Sequence, residues 1–220
     1  MANNGSGTID KVRKKVTYTH DLISTSYHEA GHVVYALLHC MKVPLVYVFE
    51  NKKYKRIDGF CHYESVRELP DIQDEILFAK QLNSEICIKY AGLTSEKYHF
   101  KTISGSDKFP MVLRDGSSND TVTAAALIKQ YNLVPPGKKR YSYKKALIKE
   151  TLSELRQHWD AVTVISHALF NKKRLSYEDI KKLLTKKTKD KEFWKNQFKI
   201  IDYIFDHVDA LDEKYLKSIL

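Results

Sequence analysis

The stretch Tyr27-His28-Glu29-Ala30-Gly31-His32-Val33-Val34 decides the fold expected for this chain. Apolar residues recur at three- and four-residue spacings from about His20 to Cys40, which predicts a helix with Thr19 as its N-cap. Residues four apart on a helix differ by about 40° in direction, so both histidines project from one face and can hold one metal ion. The glutamate lies one residue on, where its carboxylate can take a proton from a water that attacks a carbonyl group. The spacing therefore predicts a catalytic zinc site rather than two unrelated histidines on an ordinary helix.

A glycine in the middle of this helix needs a reason, because glycine destabilises a helix by about 0.5–1 kcal/mol relative to alanine. We expect Gly31 to allow the close approach of a strand or of the residue that completes the metal site. A catalytic zinc usually takes three protein ligands and a water, so the motif lacks one protein ligand. Asp120 follows Gly116-Ser117-Ser118-Asn119 and, taken alone, is typical of a helix N-cap. Residue type and spacing leave these candidates for the third ligand: His39, His62, Glu96, His99 and Asp120.

The rest of the chain is predicted to be helical apart from a small sheet. Two strands are expected, at Leu45–Phe49 and Gly59–Tyr63, directly after the helix that carries the metal motif. The fold class is therefore mainly α (α+β), with a small β-sheet beside the His-Glu-x-x-His helix and a C-terminal helical bundle. The other predicted helices are one that Pro70 opens and Gly92 ends, a short one over Thr94–Phe100, and further helices over Asp120–Tyr131, Tyr143–Phe170 with a break near Trp159, Ser176–Leu184 and Phe193–Val208.

Three segments resemble the peptidase domain of FtsH-type ATP-dependent zinc proteases. That family has His-Glu-Ala-Gly-His, then Gly-Gly-Arg-x-Ala-Glu-Glu, then Gly-Ala-Ser-Asn-Asp. The corresponding segments here are His28–His32, Ala91-Gly92-Leu93-Thr94-Ser95-Glu96-Lys97 and Gly116-Ser117-Ser118-Asn119-Asp120. The middle segment keeps the second glycine and the first glutamate but lacks the arginine and the second glutamate. The resemblance implies a helical, zincin-like metallopeptidase domain over residues 15–184, between a flexible N-terminus over 1–14 and a helical extension over 185–220.

By this resemblance, Asp120 is the third zinc ligand, alongside His28 and His32, and Glu29 is the general base. Glu96 would orient a ligand histidine, as metal sites commonly require, and the alternative is an exposed helix residue. Family members place a strand edge beside the zinc, where substrate adds as an extra strand. The residues at the comparable position are Gly59, Phe60, Cys61 and His62.

The positive charge of the chain is confined to one part of it. The 220 residues have a formal net charge of +10 at pH 7, and residues 138–191 alone hold 16 basic and 6 acidic side chains. Such a block is typical of solvated basic helices, and no nucleic-acid-binding motif accompanies it. The three cysteines, Cys40, Cys61 and Cys87, form no Cys-x-x-Cys pair, which indicates free thiols in a reducing cytoplasm.

The sequence contains no Gly-x-x-x-x-Gly-Lys-Ser/Thr loop and no apolar run long enough to span a membrane, and its polar first ten residues lead us to expect no signal peptide. We therefore expect a cytoplasmic, ATP-independent zinc metalloendopeptidase that hydrolyses peptide bonds in flexible or unfolded protein segments. Its expected partners are a protein or peptide substrate, a separate ATPase that unfolds substrates, and further copies of the chain. Two alternatives stay open: a catalytically idle binding or regulatory module, and a metalloprotease recruited to nucleic acid through the basic block.

Overall fold

The computed structural model describes the backbone of residues 6–65, 75–106 and 118–207, and the side chains of 21–65, 75–106 and 119–207. The architecture is mainly helical with a small β-sheet, as predicted, and the sheet is antiparallel with three strands where two were predicted. Within the described ranges, no helix is long and apolar enough to cross a bilayer. The elements are α1 Ser6–Leu38, β1 Lys42–Asn51, β2 Arg56–Glu64, α2 Glu75–Ser104, α3 Ser118–Gln130, α4 Arg140–Gln157, α5 Trp159–Lys172, β3 Arg174–Ser176, α6 Tyr177–Lys187 and α7 Lys191–Asp206.

Helix α1 lies at the centre of the fold, where it packs against α2, α5 and one face of the sheet. Its residues 26–37 are all buried, so this part of the helix is covered on every side. The helix begins at Ser6 and not near His20, so Thr19 lies inside it and is not an N-cap. Residues 6–14, predicted as part of a flexible N-terminus, belong to the same helix. No proline or glycine interrupts residues 8–19, which is why nothing in the sequence stops the helix there.

The sheet has the strand order β2-β1-β3, with both neighbours antiparallel to β1. Strand β1 begins at Lys42, before the predicted strand, and its pairing with β2 is irregular between Lys42 and Leu45. That irregularity accommodates Pro44, which has no N–H to donate to a neighbouring strand. Strand β3 was not predicted, because three residues are too few to give an alternating pattern. Strand β2 pairs only with β1 among the described residues and therefore forms an edge of the sheet.

The prediction that Gly92 ends a helix is wrong. Helix α2 runs without interruption from Glu75 to Ser104 and includes the segment Thr94–Phe100, which was predicted as a separate helix. Glycine often ends helices, but here it is required for close packing inside one. The predicted helix start at Pro70 lies outside the described residues.

The C-terminal half forms helices that share the core with α1. The predicted break near Trp159 is confirmed, because α4 ends at Gln157 and α5 begins at Trp159. The described part of the helical extension packs back onto the domain, since Trp194 and Phe198 of α7 are each only 1% exposed. The side-chain amide of Gln197 donates to the carbonyl oxygen of Leu37 over 2.7 Å, which ties α7 to the end of α1.

Candidate metal centre

Helix α1 presents the two histidines of the motif on the face that contacts α2 and α3. His28 and His32 are buried, and their rings meet edge to face with centroids 4.8 Å apart. One turn of helix separates them, so both Nε2 atoms point toward the same space. The predicted convergence of the histidines is therefore present in the structure.

Asp120 completes the group from the first turn of α3. Its Oδ2 atom lies 3.2 Å from His28 Nε2 and 3.3 Å from His32 Nε2. These separations fit a tetrahedral zinc, because ligands bonded at 2.0–2.1 Å lie about 3.3 Å apart along the edges of the tetrahedron. The ligand atoms of His28, His32 and Asp120 lie within 4.8 Å of one another and can hold a metal ion. Helix α3 begins at Ser118, so Asp120 lies inside its first turn and is not the N-cap.

Groups behind the histidines hold the far side of both rings. Glu96 Oε2 lies 3.3 Å from His28 Nδ1, and Ser24 Oγ donates to Glu96 Oε1 over 2.5 Å. His32 Nδ1 donates to the carbonyl oxygen of Ile88 over 2.7 Å. Because a carbonyl oxygen only accepts, this bond places the ring proton on Nδ1 and leaves the Nε2 lone pair of His32 for a metal. Glu96 is 6% exposed, so the alternative of an exposed helix residue does not hold.

Two glycines allow α1 and α2 to approach each other at the site. A Cβ atom at Gly92 would lie 2.5 Å from the Nε2 atoms of both His28 and His32. A Cβ atom at Gly31 would lie 2.6 Å from the carbonyl oxygen of Ala91. The expectation of a close approach at Gly31 is confirmed, but the approaching element is α2 and neither a strand nor a metal ligand.

Glu29 faces the edge strand. It is 5% exposed, and a Cβ atom on Gly59 of β2 would overlap its carboxylate. Burial raises the pKa of Glu29 above its ordinary value, while the neighbouring histidines act to lower it. The glycine on β2 therefore makes room for the carboxylate between the metal group and the strand.

The electrostatics of the group favour a protonated His28 beside an ionised Asp120. Burial acts to lower the pKa of His28, but its contacts with Asp120 and Glu96 outweigh burial and raise that pKa to about 10. Burial acts to raise the pKa of Asp120, but its electrostatic interaction with His32 and its contacts with both histidines hold that pKa well below its usual range. Both shifts come from carboxylates placed around two imidazoles, an arrangement that also attracts a metal cation.

A cleft of about 310 Å³ opens from this group to the surface. Its lining includes Glu29 and Asp120, and also Gly59 and Phe60 of the predicted strand edge. The remaining two residues of that predicted edge do not line the cleft: His62 is exposed on β2, and Cys61 packs against the core.

The other ligand candidates lie elsewhere. His39 contacts Glu154 over 2.9 Å and also Ser84, and His99 stacks on Tyr27 with ring centroids 3.6 Å apart.

The sequence did not predict three contacts of the site, which are made by Ser24, Ile88 and Lys89. Lys89 Nζ lies 3.7 Å from Asp120 Oδ1, on the oxygen that does not face the histidines. Ser24 was detectable in retrospect, since it precedes His28 by one helical turn, whereas a backbone carbonyl or a lysine carries no such signal.

No protein-family model matches this sequence, and no curated protein matches it either.

Proposed function

We propose that this protein is a zinc-dependent metalloendopeptidase similar to the FtsH-type peptidase domain. The observation that carries the proposal is the convergence of two histidine Nε2 atoms and one carboxylate oxygen beside Glu29. Two imidazoles and one carboxylate are a common protein donor set for catalytic zinc, and the separations of the carboxylate oxygen from the two Nε2 atoms fit a tetrahedral ion. When bound, zinc would supply Lewis-acid polarisation of a peptide carbonyl and would lower the pKa of a water.

Glu29 is the residue that would move protons. Its carboxylate would accept a proton from the water that attacks the carbonyl carbon and deliver it to the amide nitrogen as the C–N bond breaks. Its position supports this role, because it lines the cleft and lies between the metal group and β2. The contacts of His28 with Glu96 and of His32 with Ile88 would keep both rings oriented throughout.

The edge of β2 would hold the substrate. Substrate in an extended conformation can add to an exposed strand edge through main-chain hydrogen bonds, which are independent of sequence. Gly59 brings this edge next to Glu29, so an added strand would place a peptide bond close to the carboxylate. Only chain that is already flexible can adopt this conformation, which favours unfolded segments as substrates.

The experiment compares the wild-type protein with Glu29→Gln and with Glu150→Gln, a matched change at an exposed position of α4. We measure zinc content by atomic absorption and hydrolysis of a fluorescently quenched unfolded protein. We expect all three proteins to bind one zinc, and Glu29→Gln alone to lose activity by about 100-fold or more, the usual contribution of a general base. Equal activity in Glu29→Gln, or a wild-type protein that takes up no zinc, would refute the proposal. A zinc-loaded wild-type protein that is inert but forms stable complexes with unfolded chains would instead support a binding module.

A further inference from the structure

The outer face of the sheet is more apolar than an uncovered sheet face should be. The segment Leu45–Phe49 of β1 is a continuous run of apolar residues, which is typical of strands covered on both faces. Val46 and Val48 point to the inner face and are 0% and 2% exposed. Phe49 points to the outer face and is 43% exposed in the described part of the chain. The apolar pattern of β1 is therefore that of a strand covered on both faces, but among the described elements none covers the outer face.

Three rings on this outer face form a continuous surface, the aromatic wall, made of Tyr47, Phe49 and Phe60. The ring centroid of Tyr47 lies 5.7 Å from that of Phe49 and 5.4 Å from that of Phe60 on the neighbouring strand. Phe60 is 46% exposed. All three rings line the cleft that contains Glu29 and Asp120. The aromatic wall is therefore continuous with the proposed catalytic centre.

Basic side chains lie next to the aromatic wall on β3 and in the turn that follows β1. Arg174 of β3 pairs in register with Tyr47 and is exposed. Arg56 is neutralised by Asp58, whose carboxylate accepts from it over 2.6 Å. The exposed charges of the turn between β1 and β2 are then Lys52, Lys53 and Lys55, against Glu50 at the end of β1. The rim is therefore positive, which complements acidic groups in whatever the wall binds.

We propose that the aromatic wall binds segments of unfolded polypeptide in which aromatic side chains are neighboured by acidic ones. This inference rests on the proposed peptidase function, because the three rings line the cleft in which a peptide substrate would bind. Exposed apolar patches of this kind mark interaction sites, and stacked or edge-to-face ring pairs add to the energy of burial. Polypeptide is favoured over single-stranded nucleic acid because the aromatic wall lines the same cleft as Glu29, the residue proposed to act in peptide hydrolysis. The class of substrate is thus unfolded segments that are aromatic and acidic.

The test measures binding without cleavage. We use zinc-loaded Glu29→Gln protein and the fluorescence anisotropy of a labelled unstructured 14-residue peptide that contains two phenylalanines and four glutamates. In this background we introduce Phe49→Ser, Phe60→Thr and the charge reversal Lys53→Glu with Lys55→Glu. The matched controls are Tyr141→Ser, which removes an exposed ring from α4, and Lys145→Glu, which reverses an exposed charge on the same helix. Circular dichroism establishes that each variant is folded.

We expect each wall variant to weaken peptide binding by about 5- to 10-fold, the effect of removing one ring contact, and the controls to leave binding unchanged. The reversed rim should weaken binding and abolish its dependence on salt. Replacing the glutamates of the peptide by lysines, or its phenylalanines by serines, should likewise weaken its binding to the protein with an unaltered aromatic wall. Peptide affinity that is equal in wall variants and controls would overturn the proposal. So would tighter binding of an oligothymidylate than of the peptide, or self-association of the protein that wall variants abolish while peptide affinity stays unchanged.

The two proposals fail in different ways. If zinc-loaded wild-type protein cleaves no peptide but wall variants lose peptide binding, the peptidase function is refuted and the wall remains a polypeptide-binding surface. If wild-type protein cleaves the peptide and wall variants cleave it with unchanged KM, the wall proposal alone is refuted.

Discussion

Gly92→Ala tests whether the space between α1 and α2 exists for the metal group. The added Cβ atom would lie 2.5 Å from the Nε2 atoms of both His28 and His32. Ordinary carbon contacts lie at about 3.5–4.0 Å, so the rings must move by about 1 Å. Metal ligands tolerate shifts of only about 0.2 Å, so we expect zinc affinity to fall by about 100-fold or more. In the apo protein, the gain in helix propensity of about 1 kcal/mol offsets part of the overlap.

The measurement combines zinc affinity, from competition with a fluorescent chelator, and thermal unfolding with and without zinc. At a free zinc concentration 100 times the wild-type Kd, zinc should stabilise the wild-type protein by about 2.7 kcal/mol and the variant by about 0.4 kcal/mol. Gly137→Ala is the matched control, because no atom lies within 4 Å of its Cβ position but its φ of +76° disfavours alanine. This control should lower the stability of the apo protein by about 1 kcal/mol and leave the zinc Kd unchanged. If Gly92→Ala binds zinc as tightly as the wild-type protein, the metal group is not where we place it.

Three further predictions concern the supporting structure. Ser24→Ala removes the hydroxyl that bonds Glu96, and should weaken zinc binding by about 10-fold in the chelator assay, whereas Ser142→Ala on the exposed surface of α4 should not. Gln197→Ala removes the side-chain donor of the hydrogen bond to the buried carbonyl oxygen of Leu37. We expect the free energy of unfolding, measured by urea titration, to fall by about 1–3 kcal/mol. A fall of less than about 0.5 kcal/mol, the size of ordinary surface effects, would contradict the tie between α7 and α1. Burial raises the pKa values of Cys40 and Cys87 to about 11 from an ordinary 9.0. Between these pH values the two thiols ionise in the unfolded chain but stay protonated in the folded protein. We therefore expect the free energy of unfolding to fall as pH rises from 9 to 11. Urea titrations across this range should show a smaller loss in Cys40→Ala and Cys87→Ala, and an equal loss would contradict the prediction.

Residues whose chemistry depends on local spacing were predictable from the sequence. His28, Glu29 and His32 follow from the geometry of a single helix, and the break at Trp159 follows from local propensity. Resemblance to a known motif singled out Asp120 and Glu96, which the structure brings to His28 from two other helices. Spacing alone could not choose Asp120 among five candidates, because 88 positions of chain separate it from His32 and only packing decides which side chains meet.

Local rules failed where tertiary contacts override them. Gly92 has the residue type of a helix end, yet it lies inside α2. A glycine is needed at this position because the histidine rings occupy the space that a side chain would fill. At Thr19 a local reason applies instead: it has the residue type of a cap, but α1 passes through it because no proline or glycine interrupts residues 8–19. Strand β3 is too short to carry a periodic signal and exists because β1 offers it an edge to pair with.

The sequence by itself determined the donor types and the helix that presents two of them, because side-chain identity and the 3.6-residue period are local properties. Only the tertiary structure decided which carboxylate meets the histidines, which groups hold the far sides of their rings, and which strand lies beside Glu29. It also decided that the apolar run of β1 has one face in the core and the other on the cleft. These are relations between distant segments, and they exist because burying the faces of α1 against α2, α5 and the sheet fixes the segments relative to one another.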